Sequence, residues 1–165
     1  MQYLTKGKRG VIFIDYIKGK KVTIKKKRLD SYALSTIENE VKYLKILNKY
    51  KIGPKLLKVN NDSFAMEFIE GPTLDEFMSI KYSKNILKKI LKQCFILDKL
   101  KINKFEMHNP IKHILIKENQ PILIDFERCR FTLHPKNVTQ FVQFLRKRGW
   151  IKKEGLIKVL KDYHS

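Results

Sequence analysis

The chain has 165 residues, 43% of them hydrophobic and 11% aromatic, and its 36 basic and 16 acidic side chains give a formal net charge of +20. That is about one domain with enough apolar material for a core, which excludes intrinsic disorder; seven glycines and five prolines exclude collagen-like and linker classes. No apolar run approaches the roughly 18 residues of a membrane span, and Met1–Lys6 lack the apolar core of a signal peptide, so no membrane association and a cytoplasmic location are expected.

Thirty of the 36 basic residues are lysines. Residues 1–60 carry 16 basic and 4 acidic groups, residues 61–135 carry 12 and 10, and residues 136–165 carry 8 and 2. Two basic ends around a balanced middle attract polyanions, and weakly selective RNA binding through those ends is one expectation. Lysine is a flexible point charge rather than a bidentate fork, which speaks against base-specific recognition. A well-solvated lysine-rich surface explains the same numbers. Cys94 and Cys129 have no metal-type spacing and are expected to be free thiols.

In chain order, Val11–Ile17 and Val22–Lys25 are β-branched and alternating, with Lys18-Gly19-Lys20 as the turn of a hairpin. A helix follows, capped by Ser35 or Thr36, with Ile37, Val41, Leu44 and Leu47 on one stripe, and it stops at Ile52-Gly53-Pro54. Lys55–Val59 and Ser63–Ile69 read as a second strand pair. Gly71-Pro72-Thr73 breaks it, and a short helix begins near Thr73. The stripe Ile86, Leu87, Ile90, Leu91, Cys94, Phe95, Leu97 predicts a helix over 83–101. His113–Ile116 and Ile122–Ile124 form a hairpin, and two helices follow, around Val138–Leu145 and Leu156–Leu160. The class is α+β, sheet first and helices later.

Several short motifs stand in a meaningful order. Gly7-Lys8-Arg9-Gly10 precedes a strand, where missing Cβ atoms let backbone N–H groups approach phosphates; an ordinary hairpin turn has the same composition. Val22-Thr23-Ile24-Lys25 resembles the strand pattern in which a lysine bridges nucleotide phosphates and a helix glutamate. Alternation puts Lys25 and Lys27 on one face and Lys26 on the other. The glutamate partner is Glu40, beside the apolar stripe; Glu38 is the alternative, about 200° away around the helix. Phe64–Gly71 ends the strand pair where a hinge backbone would hydrogen-bond adenine; a buried strand followed by a turn has the same composition. Ile122-Leu123-Ile124-Asp125-Phe126-Glu127 puts a carboxylate directly after an apolar strand, well placed for a magnesium–phosphate site.

Together with Glu40–Leu44, Ile52-Gly53-Pro54, Pro110–Ile116, Ile124–Arg128 and Asn137–Phe141, these motifs resemble the small archaeal family of predicted serine/threonine protein kinases, distantly similar to RIO-type kinases. The resemblance runs from Leu4 to about Leu145. It implies a single compact kinase-like domain over 1–165, with an N-terminal antiparallel sheet and one helix (lobe 1–69) and a reduced helical lobe (70–165). It further implies ATP and Mg²⁺ as cofactors and an unidentified protein acceptor. Gly7, Gly10, Lys25, Glu67 and Phe68 would bind nucleotide; Lys25, Glu40, Glu106 and Asp125 would be catalytic; Asp125 and Asn109 would hold metal.

The chain departs from the kinase pattern in the loop before Asp125. Glu106 stands 19 residues before Asp125, where kinases place an aspartate base, and is one methylene longer. Lys104 replaces the usual histidine, and Ile111 stands five residues after Glu106, where kinases use a metal-binding asparagine. Asn109 and His113 are nearby, but Mg²⁺ prefers oxygen, and His108 and His113 read as ordinary loop polarity. Glu127 replaces the usual glycine, no Ala-Pro-Glu occurs, and 40 residues follow Asp125, short of a full peptide-binding lobe. Two functions therefore compete: a minimal kinase or ATPase, and a degenerate kinase fold that binds RNA or a ribonucleoprotein. An α+β domain with accidental motif matches is the third reading.

Overall fold

β-Branched and aromatic residues at alternating positions build the first layer of the protein. The computed structural model describes residues 2–6, 10–28 and 36–164. Strands β1 (Gln2–Lys6), β2 (Gly10–Ile17), β3 (Lys20–Lys27), β4 (Leu56–Val59) and β5 (Ser63–Glu67) form one antiparallel sheet in the order β1-β2-β3-β5-β4. The turn joining β2 to β3 uses Lys18 and Gly19 at φ 50° and 75°, the left-handed pair that matches the twist of a two-residue hairpin.

Helix α1 (Thr36–Leu47) lies between β3 and β4 in sequence and packs on the sheet through Ile37, Val41 and Leu44. It begins at Thr36, so the proposed cap Ser35 falls outside the described residues. The chain leaves the helix through a turn clamped by Asn48. Its Nδ2 donates to the carbonyls of Ile52 (3.2 Å) and Pro54 (3.0 Å), and its Oδ1 accepts from Leu56 N–H (2.8 Å). Gly53 sits in that turn at φ 80°, and a Cβ there would lie 2.8 Å from the Phe126 ring. Positive φ and the ring both demand glycine.

The second half is mainly helical. Thr73 starts α2 (Leu74–Ile80) with a capping box: its Oγ1 accepts from Glu76 N–H (3.4 Å), and its own N–H donates to Glu76 Oε2 (2.9 Å). Helix α3 (Lys84–Lys99) follows, capped by Ser83. Two-residue strands β6 (Ile102–Asn103) and β9 (Arg130–Phe131) pair, and β7 (Ile114–Lys117) and β8 (Gln120–Leu123) form a hairpin. Helices α4 (Asn137–Lys147) and α5 (Lys153–His164) complete the chain.

One core runs through both halves, from Val41, Leu44 and Phe64 to Leu97, Ile114, Phe126 and Phe141. Each fully buried side chain of this kind contributes roughly 1.5–3 kcal/mol through removal from water. The sheet and the helical half are joined at Gly71-Pro72-Thr73. Ile116 N–H donates to the Pro72 carbonyl at 2.8 Å, and a Cβ on Gly71 would lie only 2.0 Å from the Ile116 carbonyl oxygen. Among the described residues no helix is long and apolar enough to cross a membrane.

Both cysteines are free and buried. Burial pushes the Cys129 thiol up to about 12 and moves Cys94 upward as well. Neither is a thiolate at neutral pH, and the thiolate is the reactive form. Iodoacetamide at pH 8 should therefore leave both unmodified in the native protein and label both in denaturant. Fast native labelling of either would contradict this core.

Candidate functional site

Lys25 lies on the face of β3 that looks toward α1. Its Nζ donates to both Glu40 carboxylate oxygens at 2.9 Å and stands 3.6 Å from Asp125 Oδ1. Its side chain is 16% exposed and that of Glu40 only 2%. Lys27, on the same face, reaches Glu38 at 3.4 Å; Lys26, on the opposite face, reaches Asp62 at 4.0 Å. Burial alone would lower the pKa of Lys25. The carboxylates of Glu40 and Asp125 more than offset it, and the net direction is upward, so the ammonium stays charged.

Asp125 is delivered by the β7–β8 hairpin. Pairing of Ile114 with Leu123 continues one step further, Ile124 N–H donating to the His113 carbonyl at 2.9 Å, and the next residue is Asp125. Its φ is 68°, a left-handed value that is uncommon for a residue with a Cβ. Four hydrogen bonds involving three side chains hold this segment. Phe126 N–H donates to Glu40 Oε1 (3.3 Å), Asn39 Nδ2 donates to the carbonyls of Glu127 (2.8 Å) and Cys129 (2.9 Å), and Lys104 Nζ donates to the Asp125 carbonyl (2.7 Å). Helix α1 thus grips the segment with two consecutive residues, Asn39 and Glu40.

Lys104 is fully buried. Besides Asp125, its ammonium meets Glu106 Oε2 at 2.9 Å and lies 5.0 Å from the centre of the Phe126 ring. Its backbone N–H donates to Asn137 Oδ1 (2.9 Å), and Asn137 Nδ2 in turn donates to Asp98 Oδ1 (2.7 Å) and the Ile102 carbonyl (2.7 Å). Asp98 also accepts from the N–H groups of Asn137 and Val138 at the start of α4, where a carboxylate complements the helix dipole. Phe105, between Lys104 and Glu106, has φ 73°. Strained backbone persists where its surroundings over-determine it, and here one such residue lies between the partners of a buried ion pair and another, Asp125, is bonded to its lysine.

His113, directly before β7, turns toward Asp125, with Nδ1 3.6 Å from Oδ2. That nitrogen is buried and has no hydrogen-bond partner. Burial and the Lys104 charge lower its pKa more than Glu106 and Asp125 raise it, so the imidazole is neutral at pH 7.

The structure brings Lys25, Glu40 and Asp125 into direct contact. Glu106 is 7% exposed and paired with Lys104. Asn109 is exposed in the turn after Glu106, its N–H donating to the Glu106 carbonyl at 3.1 Å. Gly10 is the first residue of β2 and pairs with Lys27; a Cβ there would lie 3.2 Å from the Lys26 carbonyl oxygen. Gly7 lies outside the described residues. Glu67 ends β5 and binds Lys117 Nζ (3.0 Å) and Lys55 N–H (3.1 Å) through its two oxygens. Phe68 follows it, with Lys21 Nζ 4.1 Å from its ring centre.

Side-chain reasoning on the sequence missed Asn39 and the hold of Lys104 on Asp125, and it set His113 aside as ordinary loop polarity. Only His113 had a visible signal, its place just before the apolar run 114–116. Glu40, Asp125 and Glu127 also bring carboxylate oxygens within 4.8 Å of one another, a spacing able to hold a cation, although both Glu40 oxygens already serve Lys25. No family model matches the chain, and no curated protein matches it closely enough to count as a relative.

Proposed function

We propose that the chain is an ATP-binding, kinase-like phosphotransferase or ATPase. The observation that carries this reading is the Lys25–Glu40–Asp125 contact, which draws a strand, a helix and a loop onto one partly exposed ammonium. Phosphoryl transfer asks the protein mainly to position reactants and neutralise charge. Lys25 would bind the nucleotide phosphates, and Glu40 fixes its direction through two hydrogen bonds. Adenine would sit against the backbone at Glu67 and Phe68, with Gly10 near the phosphates.

The residues present fit a bound divalent ion. The Asp125 side chain is 32% exposed, and one carboxylate is a normal protein share of a shell completed by phosphate oxygens and water. Mg²⁺ bound there would supply charge neutralisation to the transferring phosphoryl group. Asp125 would be its first protein ligand, with Asn109 a further oxygen donor from the neighbouring loop.

Glu106 divides this reading from a second one. As a base it would orient an acceptor hydroxyl or water; held by a buried lysine, it equally suits a nucleotide-binding module without turnover. Glu106→Gln keeps an acceptor for Lys104 and removes the base. If the chain transfers phosphate, turnover from γ-labelled ATP should fall about 10²–10⁴-fold in this variant while ATP affinity holds. Tight ATP binding without turnover in the unaltered protein would select the binding module.

A further inference from the structure

The two oxygens of Asp125 face different partners. Oδ1 points to the Lys25 ammonium at 3.6 Å, and Oδ2 points to His113 Nδ1, also at 3.6 Å. A cation held by Asp125 is repelled by the ammonium and is favoured on the Oδ2 side. The nearest nitrogen there is a buried Nδ1 with no hydrogen-bond partner. A buried polar atom without a partner requires an explanation, and an ion is one of the standard ones.

The spacing fits shared coordination. Ligand atoms about 2.1 Å from one ion lie about 3.0 Å apart at an octahedral edge and about 3.4 Å apart at a tetrahedral one. A separation of 3.6 Å is too long for a hydrogen bond; it lies about 0.2 Å beyond the tetrahedral edge and about 0.6 Å beyond the octahedral one. Both side chains are partly open, 24% for His113 and 32% for Asp125. The Ile124 N–H bond to the His113 carbonyl sets Ile124 beside His113, and Asp125 is the next residue along the chain.

We infer that His113 Nδ1 and Asp125 Oδ2 form a mixed nitrogen–oxygen metal site that selects a first-row transition ion, Mn²⁺ or Co²⁺, over Mg²⁺. Mg²⁺ is a hard ion bound through oxygen, whereas imidazole suits transition ions, whose affinities rise along the series from Mn²⁺ to Co²⁺. The inference rests on the proposed nucleotide site only in taking Asp125 as a metal ligand, and it orders the ions that site would prefer without excluding Mg²⁺.

The test uses the whole chain and the metals alone, without nucleotide. CoCl₂, MnCl₂ and MgCl₂ are titrated by calorimetry, with visible absorption reporting the Co²⁺ ligand field. His113→Asn exchanges the ring nitrogen for a hard amide oxygen; His113→Ala removes the ligand; His108→Asn is a control on an exposed histidine of the same loop. Unfolding midpoints establish that each variant folds. Loss of a metal ligand is expected to weaken Co²⁺ and Mn²⁺ binding about tenfold or more in both His113 variants. Mg²⁺ binding should change less than threefold or so, and the His113-dependent absorption should disappear. Equal weakening of all three ions would mean that His113 only positions Asp125, and no change would mean that it is not a ligand; either result overturns the inference. ATP titrations run in parallel separate the two claims. His113-dependent Co²⁺ binding without ATP binding defeats the phosphotransfer reading alone, and ATP binding with His113-independent metal preference defeats the metal inference alone.

Discussion

Lys104→Ala should destabilise the protein by about 3–5 kcal/mol, the range for removing one partner of a buried ion pair. The size follows from what is stranded. Glu106, 7% exposed, would lose its counter-ion, and the Asp125 carbonyl would lose its 2.7 Å bond while still held at φ 68°. Lys104→Met with Glu106→Leu removes both charges and fills the space, so part of the loss should return, because well-packed apolar replacements of buried pairs are often neutral. The Asp125 carbonyl remains unpaired in that double variant, and a deficit of about 1–3 kcal/mol should persist. Denaturant unfolding of the two singles and the double gives the cycle. A single-variant loss below about 1 kcal/mol would show that Lys104 does not anchor the loop.

Asp125→Asn should leave the fold almost unchanged and remove the metal dependence of nucleotide binding. The fold should survive because asparagine is among the few residues that tolerate left-handed φ, so the 68° backbone is kept. The amide has no net charge and is a much weaker ligand than a carboxylate. Divalent metal should therefore strengthen ATP binding in the unaltered protein by about tenfold or more and have little effect in the variant; any phosphate transfer should be lost. Calorimetric ATP titrations with and without metal check this. Equal metal enhancement in both proteins would make Asp125 a purely structural residue.

The parts of this site that were legible in the sequence are those governed by periodicity. Strand alternation separated Lys25 from Lys26, and the helix stripe favoured Glu40 over Glu38; the ion pairs in the structure follow the same faces. The sheet and the long helix α3 came from the same rules. What could not be read depends on contacts between distant polar residues. Asn39 and Asn137 look like solvated positions, yet each makes hydrogen bonds to segments more than thirty residues away. Counting five residues past Glu106 leads to Ile111, but the loop is longer, and the residue that meets Asp125 is His113, placed by the first pairing of β7 with β8. Strand β1 escaped because an edge strand with exposed Tyr3 and Leu4 is held by backbone pairing rather than by a buried face. Strands β6 and β9, two residues each, are too short to show a period.

The central claim is that one lysine, and not the diffuse +20 charge, binds the nucleotide. Calorimetric titration of the whole chain with Mg-ATP, comparing Lys25→Ala with Lys26→Ala, tests it most directly. Both variants remove one positive charge from adjacent positions of β3, so any general attraction to phosphate falls equally in the two. A charge-assisted contact in a partly dry cleft contributes about 1.5–3 kcal/mol. Lys25→Ala should accordingly weaken Mg-ATP binding about tenfold or more, with Lys26→Ala within about twofold of the unaltered protein. Equal losses in the two variants, or no Mg-ATP binding by the unaltered chain, would contradict the account.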